Sequence, residues 1–194
     1  MALFALWRHL DHTLGEDERK GMTIRSIGAT AEHVVEPVRW VRSYVIDEPG
    51  RLQSLCVYEG PSARAVVDLQ LLCAIPFEEI EPVVELRPPS TASGPGDLYL
   101  AWRDIPRGAT EPAVAEDNAR ASGEAEWVRS YWDSKNALSW CVYRAETRNG
   151  QSAAVLPRSF RRVESVAEVH PSEWAWVYET FGLPRHWELN PDWA

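Results

Sequence analysis

The sequence predicts an α+β fold: two tandem ferredoxin-like βαββαβ units that form a pseudo-dimeric α+β barrel, followed by a Trp-rich C-terminal tail. Three observations carry this expectation. The block Trp40-Val41-Arg42-Ser43-Tyr44 recurs letter for letter as Trp127-Val128-Arg129-Ser130-Tyr131. Downstream, Cys56-Val57-Tyr58 returns as Cys141-Val142-Tyr143, and Phe77, Ile80, Glu81, Val83, Glu85, Leu86 return as Phe160, Val163, Glu164, Val166, Glu168, Val169. A period of roughly 85 residues is too long for a solenoid and suits a small domain copied once. A one-sided sheet must then cover its second face, which two linked copies do by packing sheet on sheet.

Each element follows from local chemistry. Apolar runs ending in Trp-Arg, at 3–8 and 98–103, read as first strands. Polar stretches with early acidic residues, at 16–35 and 111–123, read as helices whose first turn carries negative charge. The β-branched and aromatic repeat block runs into Asp47-Glu48-Pro49-Gly50 and then an apolar run at 52–58, a hairpin pattern; Asp133-Ser134-Lys135-Asn136 supplies the matching turn. Second helices are expected at 62–74 and, more weakly, at 149–156, and closing strands at 81–86 and 164–169. The stretch 87–97 is rich in Pro, Gly and Ser and reads as a linker. The expected domains are therefore unit one at 1–87, a linker at 88–96, unit two at 97–170, and a tail at 171–194 packing on the body.

Composition narrows the partners. The 194 residues carry 20 basic and 29 acidic side chains, a net charge of −9, which argues against a sequence-independent grip on nucleic acid or anionic lipid. No apolar run approaches the ~20 residues of a membrane span, so the protein is expected in the cytoplasm, as a monomeric pseudo-dimer or a homodimer. Three cysteines without a CxxC pair favour reduced thiols.

Strict strand alternation sends Trp40, Arg42 and Tyr44 to one face and Val41, Ser43 and Val45 to the other. Cys56 and Tyr58 join the first set, or Leu55 and Val57 do if the register slips by one. The second unit contributes Trp127, Arg129, Tyr131, Cys141 and Tyr143. A buried guanidinium needs a carboxylate or an anionic ligand to offset desolvation. Arg42 and Arg129 therefore either pair with Glu85 and Glu168 on the closing strands or clamp the carboxylate, enolate or phenolate of a small molecule. His9, Asp11 and His12 lie just past the first strand, and the second unit offers no match, which marks them as a candidate acid/base or partial metal site. Four of the ten tryptophans, Trp174, Trp176, Trp187 and Trp193, sit in the tail, which is expected to lie against the body.

The strand Trp40–Tyr44, the Cys-Val-Tyr-Glu at 56–59 and the passage Ile75-Pro76-Phe77-Glu78-Glu79-Ile80 together resemble a family of small bacterial ferredoxin-like proteins of largely unknown function, some of them nickel-binding. Many members look like a single unit that dimerises, in keeping with a pseudo-dimer. Several carry His where this chain has Arg42 and Arg129, and arginine does not ligate nickel. The resemblance thus implies a metal set drawn from His9, His12, Cys56 and Cys141.

The function expected is binding of an anionic or aromatic metabolite, as in a cofactor-independent isomerase, cyclase or oxygenase. Arg42, Arg129, Trp40, Trp127, Tyr58 and Tyr143 would hold the ligand, Tyr44 and Tyr131 would act as donors or acids, and His9 or His12 as the base. The alternatives are a protein that binds nickel or another divalent transition metal, without an organic cofactor, and a non-catalytic structural or interaction module with a filled interior.

Overall fold

The computed structural model describes residues 1–10, 14–32, 37–89, 96–145 and 160–189. The fold is mixed α+β, with antiparallel strand pairing throughout the ladders described below. In chain order the elements are β1 (Ala2–Leu10), α1 (Glu16–Glu32), β2 (Arg39–Glu48), β3 (Arg51–Gly60), α2 (Ala63–Cys73), β4 (Glu79–Leu86), β5 (Asp97–Asp104), α3 (Glu111–Arg120), β6 (Glu126–Asp133), β7 (Leu138–Ala145) and β8 (Arg162–Val169). A 3₁₀ turn (Pro171–Trp174), α4 (Ala175–Thr180) and a helical turn (His186–Leu189) follow. The expected helix at 149–156, most of the expected linker, and Asp11, His12 and Trp193 lie outside the described residues. Two compact units are present: Met1–Pro82 with Glu168–Ala194, and Val83–Ala167.

In unit 1, β3 pairs with both β1 and β2. The helix α2 is delimited by Ser62, whose Oγ accepts from Ala65 N at 3.1 Å, and by Ala74 in the left-handed region at φ 52°. Its buried residues Ala65, Val66, Leu69, Gln70 and Cys73 form one helical stripe. They meet Phe4, Leu6, Trp40, Cys56 and Tyr58 from the sheet. The C-terminal segment adds Val177, Tyr178 and Trp187 to the same core. His186 Nε2 bonds Trp40 O at 2.8 Å, which fastens that segment to β2. α1 packs mainly on α2 and α4. Gly28 permits this close approach, because a Cβ there would meet Cζ of Phe181 at 2.9 Å.

In unit 2, β5 lies between β7 and β8, and β6 between β7 and the Val84–Leu86 portion of β4. The β6–β7 turn is closed by Asp133 Oδ1, which accepts from Lys135 N and Asn136 N, each at 3.0 Å. α3 packs on β6. Tyr99, Val114, Trp127, Cys141 and Tyr143 form the core. The two units share their registers: Arg8 lies opposite Ser54 and Leu6 opposite Cys56, as Arg103 lies opposite Ser139 and Ala101 opposite Cys141.

A β-bulge interrupts the repeated block in both units, and it overturns the alternation read from sequence. Trp40 pairs with Tyr58, but Arg42, not Val41, takes the next place opposite Val57. Trp127 and Arg129 repeat this against Tyr143 and Val142. The extra residue reverses the faces beyond it. Trp40, Ser43 and Val45 share the helix-side face with Cys56 and Tyr58, while Arg42 and Tyr44 turn to the other face with Val57 and Leu55. A side-chain bond spans each bulge: Trp40 Nε1 donates to Ser43 Oγ at 2.9 Å, and Trp127 Nε1 to Ser130 Oγ at 2.8 Å.

Candidate functional site

Between the helix-side face of the unit 1 sheet and α1 lies a cavity of about 320 Å³. Its walls include Leu14, Met22, Val45, Leu52, Ile75, Val169 and Trp174, with Trp40, Ser43, Ser54, Cys56 and Tyr58 from the sheet. Glu16, Arg19 and Lys20 line it from the first turns of α1. Lys20 Nζ engages Glu16 Oε1 at 2.6 Å, and Arg19 Nη1 engages Asp47 Oδ2 at 2.5 Å, so these charges are largely offset locally.

Among the described residues, Arg8 is the one cation from the sheet that lines this cavity. Alternation along β1 explains its position, since Phe4, Leu6, Arg8 and Leu10 all point inward and all are buried. Arg8 is 5% exposed, and its guanidinium donates from Nη1 to Pro76 O at 2.9 Å and Ile75 O at 3.3 Å. From Nη2 it donates to Tyr58 OH at 3.4 Å and to Gln70 Oε1. All four acceptors are neutral, so among the described residues its charge meets no carboxylate. Burial pushes the Tyr58 phenol up, against the pull of Arg8, so it is a protonated hydroxyl at neutral pH.

The structure separates the residues singled out from sequence. Trp40, Cys56 and Tyr58 reach the cavity. Arg42 and Tyr44 occupy the opposite face of the sheet, where Arg42 Nη1 donates to Glu168 Oε1 at 2.9 Å. Arg129 forms the corresponding, looser pair with Glu85 Oε1 at 3.7 Å. Each arginine thus meets the glutamate of the other repeat's closing strand. Trp127, Cys141 and Tyr143 are core residues of unit 2. Tyr131 is buried beside Trp140 on the face shared with Arg129.

His9 pairs with Gln53, and its Nδ1 lies 3.1 Å from Gln53 Nε2 and 3.9 Å from Glu78 Oε1. It therefore projects from the sheet face opposite Arg8, Cys56 and Tyr58, and does not reach the cavity as a base. The same opposition separates His9 from Cys56 as prospective metal ligands. Burial pushes the Cys141 thiol up, favouring the neutral form, and Cys141 stands beside Ser139 Oγ at 3.4 Å. Among the described residues no three His, Cys, Asp or Glu side chains group where they could hold a metal ion. Of the predicted nickel set, His9 and Cys56 are thus not brought together, and His12 lies outside the described residues.

Arg8 is the residue that sequence reading passed over. Its signal was the alternation Phe4-Leu6-Arg8-Leu10, which seats a cation among core positions. Its four acceptors lie 50 to 68 residues away along the chain, beyond any local pattern.

Residues 4–83 match the model of the nickel-responsive protein SCO4226-like family. No curated protein matches the chain. Among solved structures the chain is similar to a Lactobacillus acidophilus NCFM protein described as a monooxygenase, at 10% identity and a TM-score of 0.40, over 87% of this chain and 94% of that one. It is also similar to an anthrone oxidase-like protein at 11% identity and a TM-score of 0.38, over 87% and 92% of the two chains. No helix among the described residues is long and apolar enough to cross a membrane.

Proposed function

We propose that unit 1 binds a small, largely apolar or aromatic molecule carrying one anionic group, with that group drawn to Arg8 and the body held against Trp40, Leu52, Ile75 and Trp174. The observation that carries this reading is a buried guanidinium, facing only neutral acceptors, at the wall of a mostly apolar cavity. A cation so placed favours an anion strongly, because the surroundings screen it little. The same pairing of Arg8 with the Tyr58 hydroxyl suits an enolate or phenolate, the intermediates of cofactor-independent isomerases, cyclases and oxygenases. In this account the chain is a tandem duplicate acting as its own dimer on a bacterial cytoplasmic metabolite.

Calorimetric titration with 2-naphthoate and its methyl ester tests the reading. The acid is expected to bind saturably, and the ester at least about tenfold more weakly, in line with 1.5–3 kcal/mol for a charged hydrogen bond. Equal binding of the two would remove the anion site.

A second reading, nickel binding, rests on the family match over residues 4–83. Titration of nickel into protein without a histidine tag tests it: stoichiometric heat abolished by His9→Ala supports it, and no heat removes it.

A further inference from the structure

The unit 2 counterpart of Arg8 is Arg103, which holds the same register place opposite Ser139. The segments after both strands also behave alike, since Glu78 N donates to Trp7 O and Arg161 N to Trp102 O, each at 2.9 Å. Yet Arg103 is occupied. Its Nη2 donates to Asp117 Oδ2 and its Nη1 to Asn118 Oδ1, both at 2.6 Å. Asp117 also lies 3.6 Å from Arg120. Asn118 is completely buried, donates from Nδ2 to Ser139 Oγ at 3.2 Å, and accepts from Tyr143 OH on its backbone carbonyl at 3.0 Å. α3, lying directly on the sheet, thus brings a carboxylate and an amide to the guanidinium. In unit 1, α1 brings Glu16, Arg19, Lys20, Met22, Thr23 and Ser26 to the cavity, and none of them is a hydrogen-bond partner of Arg8.

We infer that Asp117 is an internal stand-in for the ligand: the anionic group received by Arg8 is a carboxylate, and the chain binds one such molecule, in unit 1, because Arg103 already holds its own. This inference rests on the reading of the unit 1 cavity given above. Asp117 shows that a carboxylate suits a guanidinium at this register place. The further cations that line the unit 1 cavity, Arg19 and Lys20, are already engaged by Asp47 and Glu16.

Titrating the full chain with 2-naphthoate, 2-naphthalenesulfonate and 2-naphthyl phosphate tests it. One naphthoate per chain is expected, bound at least about tenfold more tightly than either other anion. Equal or tighter binding of the sulfonate or phosphate, or two equivalents of naphthoate, would overturn the inference while leaving the anion site standing. If none of the three binds saturably, or if Arg8→Met leaves their affinities unchanged, both readings fall together. A second arm uses Asp117→Ala, whose melting temperature is expected to rise more in sodium formate than in sodium chloride of equal ionic strength, by about 2–4 °C, while the wild type shows no such difference. An equal response to the two salts would overturn the inference. Should this variant not fold, the ranking of the three anions on the wild type decides alone.

Discussion

An arginine at 5% exposure has lost most of its hydration, and what replaces that hydration determines what the residue does. Around Arg42 the replacement includes a glutamate at 2.9 Å, and the charge is met within the protein. Around Arg8 it is two backbone carbonyls, a phenol and an amide, which satisfy donors without cancelling charge. Arg8→Lys should therefore retain part of the affinity for 2-naphthoate, since it keeps the charge but loses the fork, whereas Arg8→Met should lose at least about tenfold, read by calorimetry. The Ser43 and Ser130 hydroxyls act differently. Each accepts from a buried indole across a bulge, so Ser43→Ala or Ser130→Ala strands a donor and should cost about 1–3 kcal/mol in urea unfolding. Sequence alternation grouped Trp40, Cys56 and Tyr58 on one face but expected that face between the sheets, whereas they pack under the helices. It put Arg42 with them because alternation assumes an unbroken ladder, and one inserted residue reverses every side chain beyond it.

At the level of elements, local chemistry was legible where the chain itself closes the structure. Ser62 caps α2, Gly50 takes φ 79° between β2 and β3, and Asp133 closes the second hairpin through its own carboxylate. Ala74 is the exception, a non-glycine residue in the left-handed region at the end of α2. Ala74→Gly should relieve that strain and stabilise the protein by about 0.5–1 kcal/mol after the entropy of the unfolded chain is counted, seen as a higher denaturation midpoint at unchanged m-value. Less legible was which arginine each closing strand would serve, since Glu168 and Glu85 each meet the arginine of the other repeat, a choice made by tertiary packing and not by any nearby residue. The packing of α1 on the C-terminal segment depends likewise on a distant contact, Phe181 against Gly28.

For the chain as a whole, two units with the same registers carry unequal sites: one arginine faces a cavity, the other a carboxylate. The C-terminal segment belongs to the open unit, and it makes that unit sensitive to acid. Burial lowers the pKa of His186 below its ordinary 6.5, so on acidification the unfolded chain takes up this proton first. The stabilisation is complete above about pH 6.5 and drains away as pH falls from there toward the lowered value. Melting temperature should therefore drop between about pH 7 and 5, and His186→Gln, which can still donate to the Trp40 carbonyl, should flatten that part of the dependence.

The most direct test follows the arginine side chains themselves: Nε–H resonances recorded by nuclear magnetic resonance while 2-naphthoate is added. The Arg8 signal should move saturably, with that of Arg103 unmoved. Movement of Arg103, or of Arg42 or Arg129, with Arg8 stationary would contradict the assignment of the anion to the unit 1 cavity.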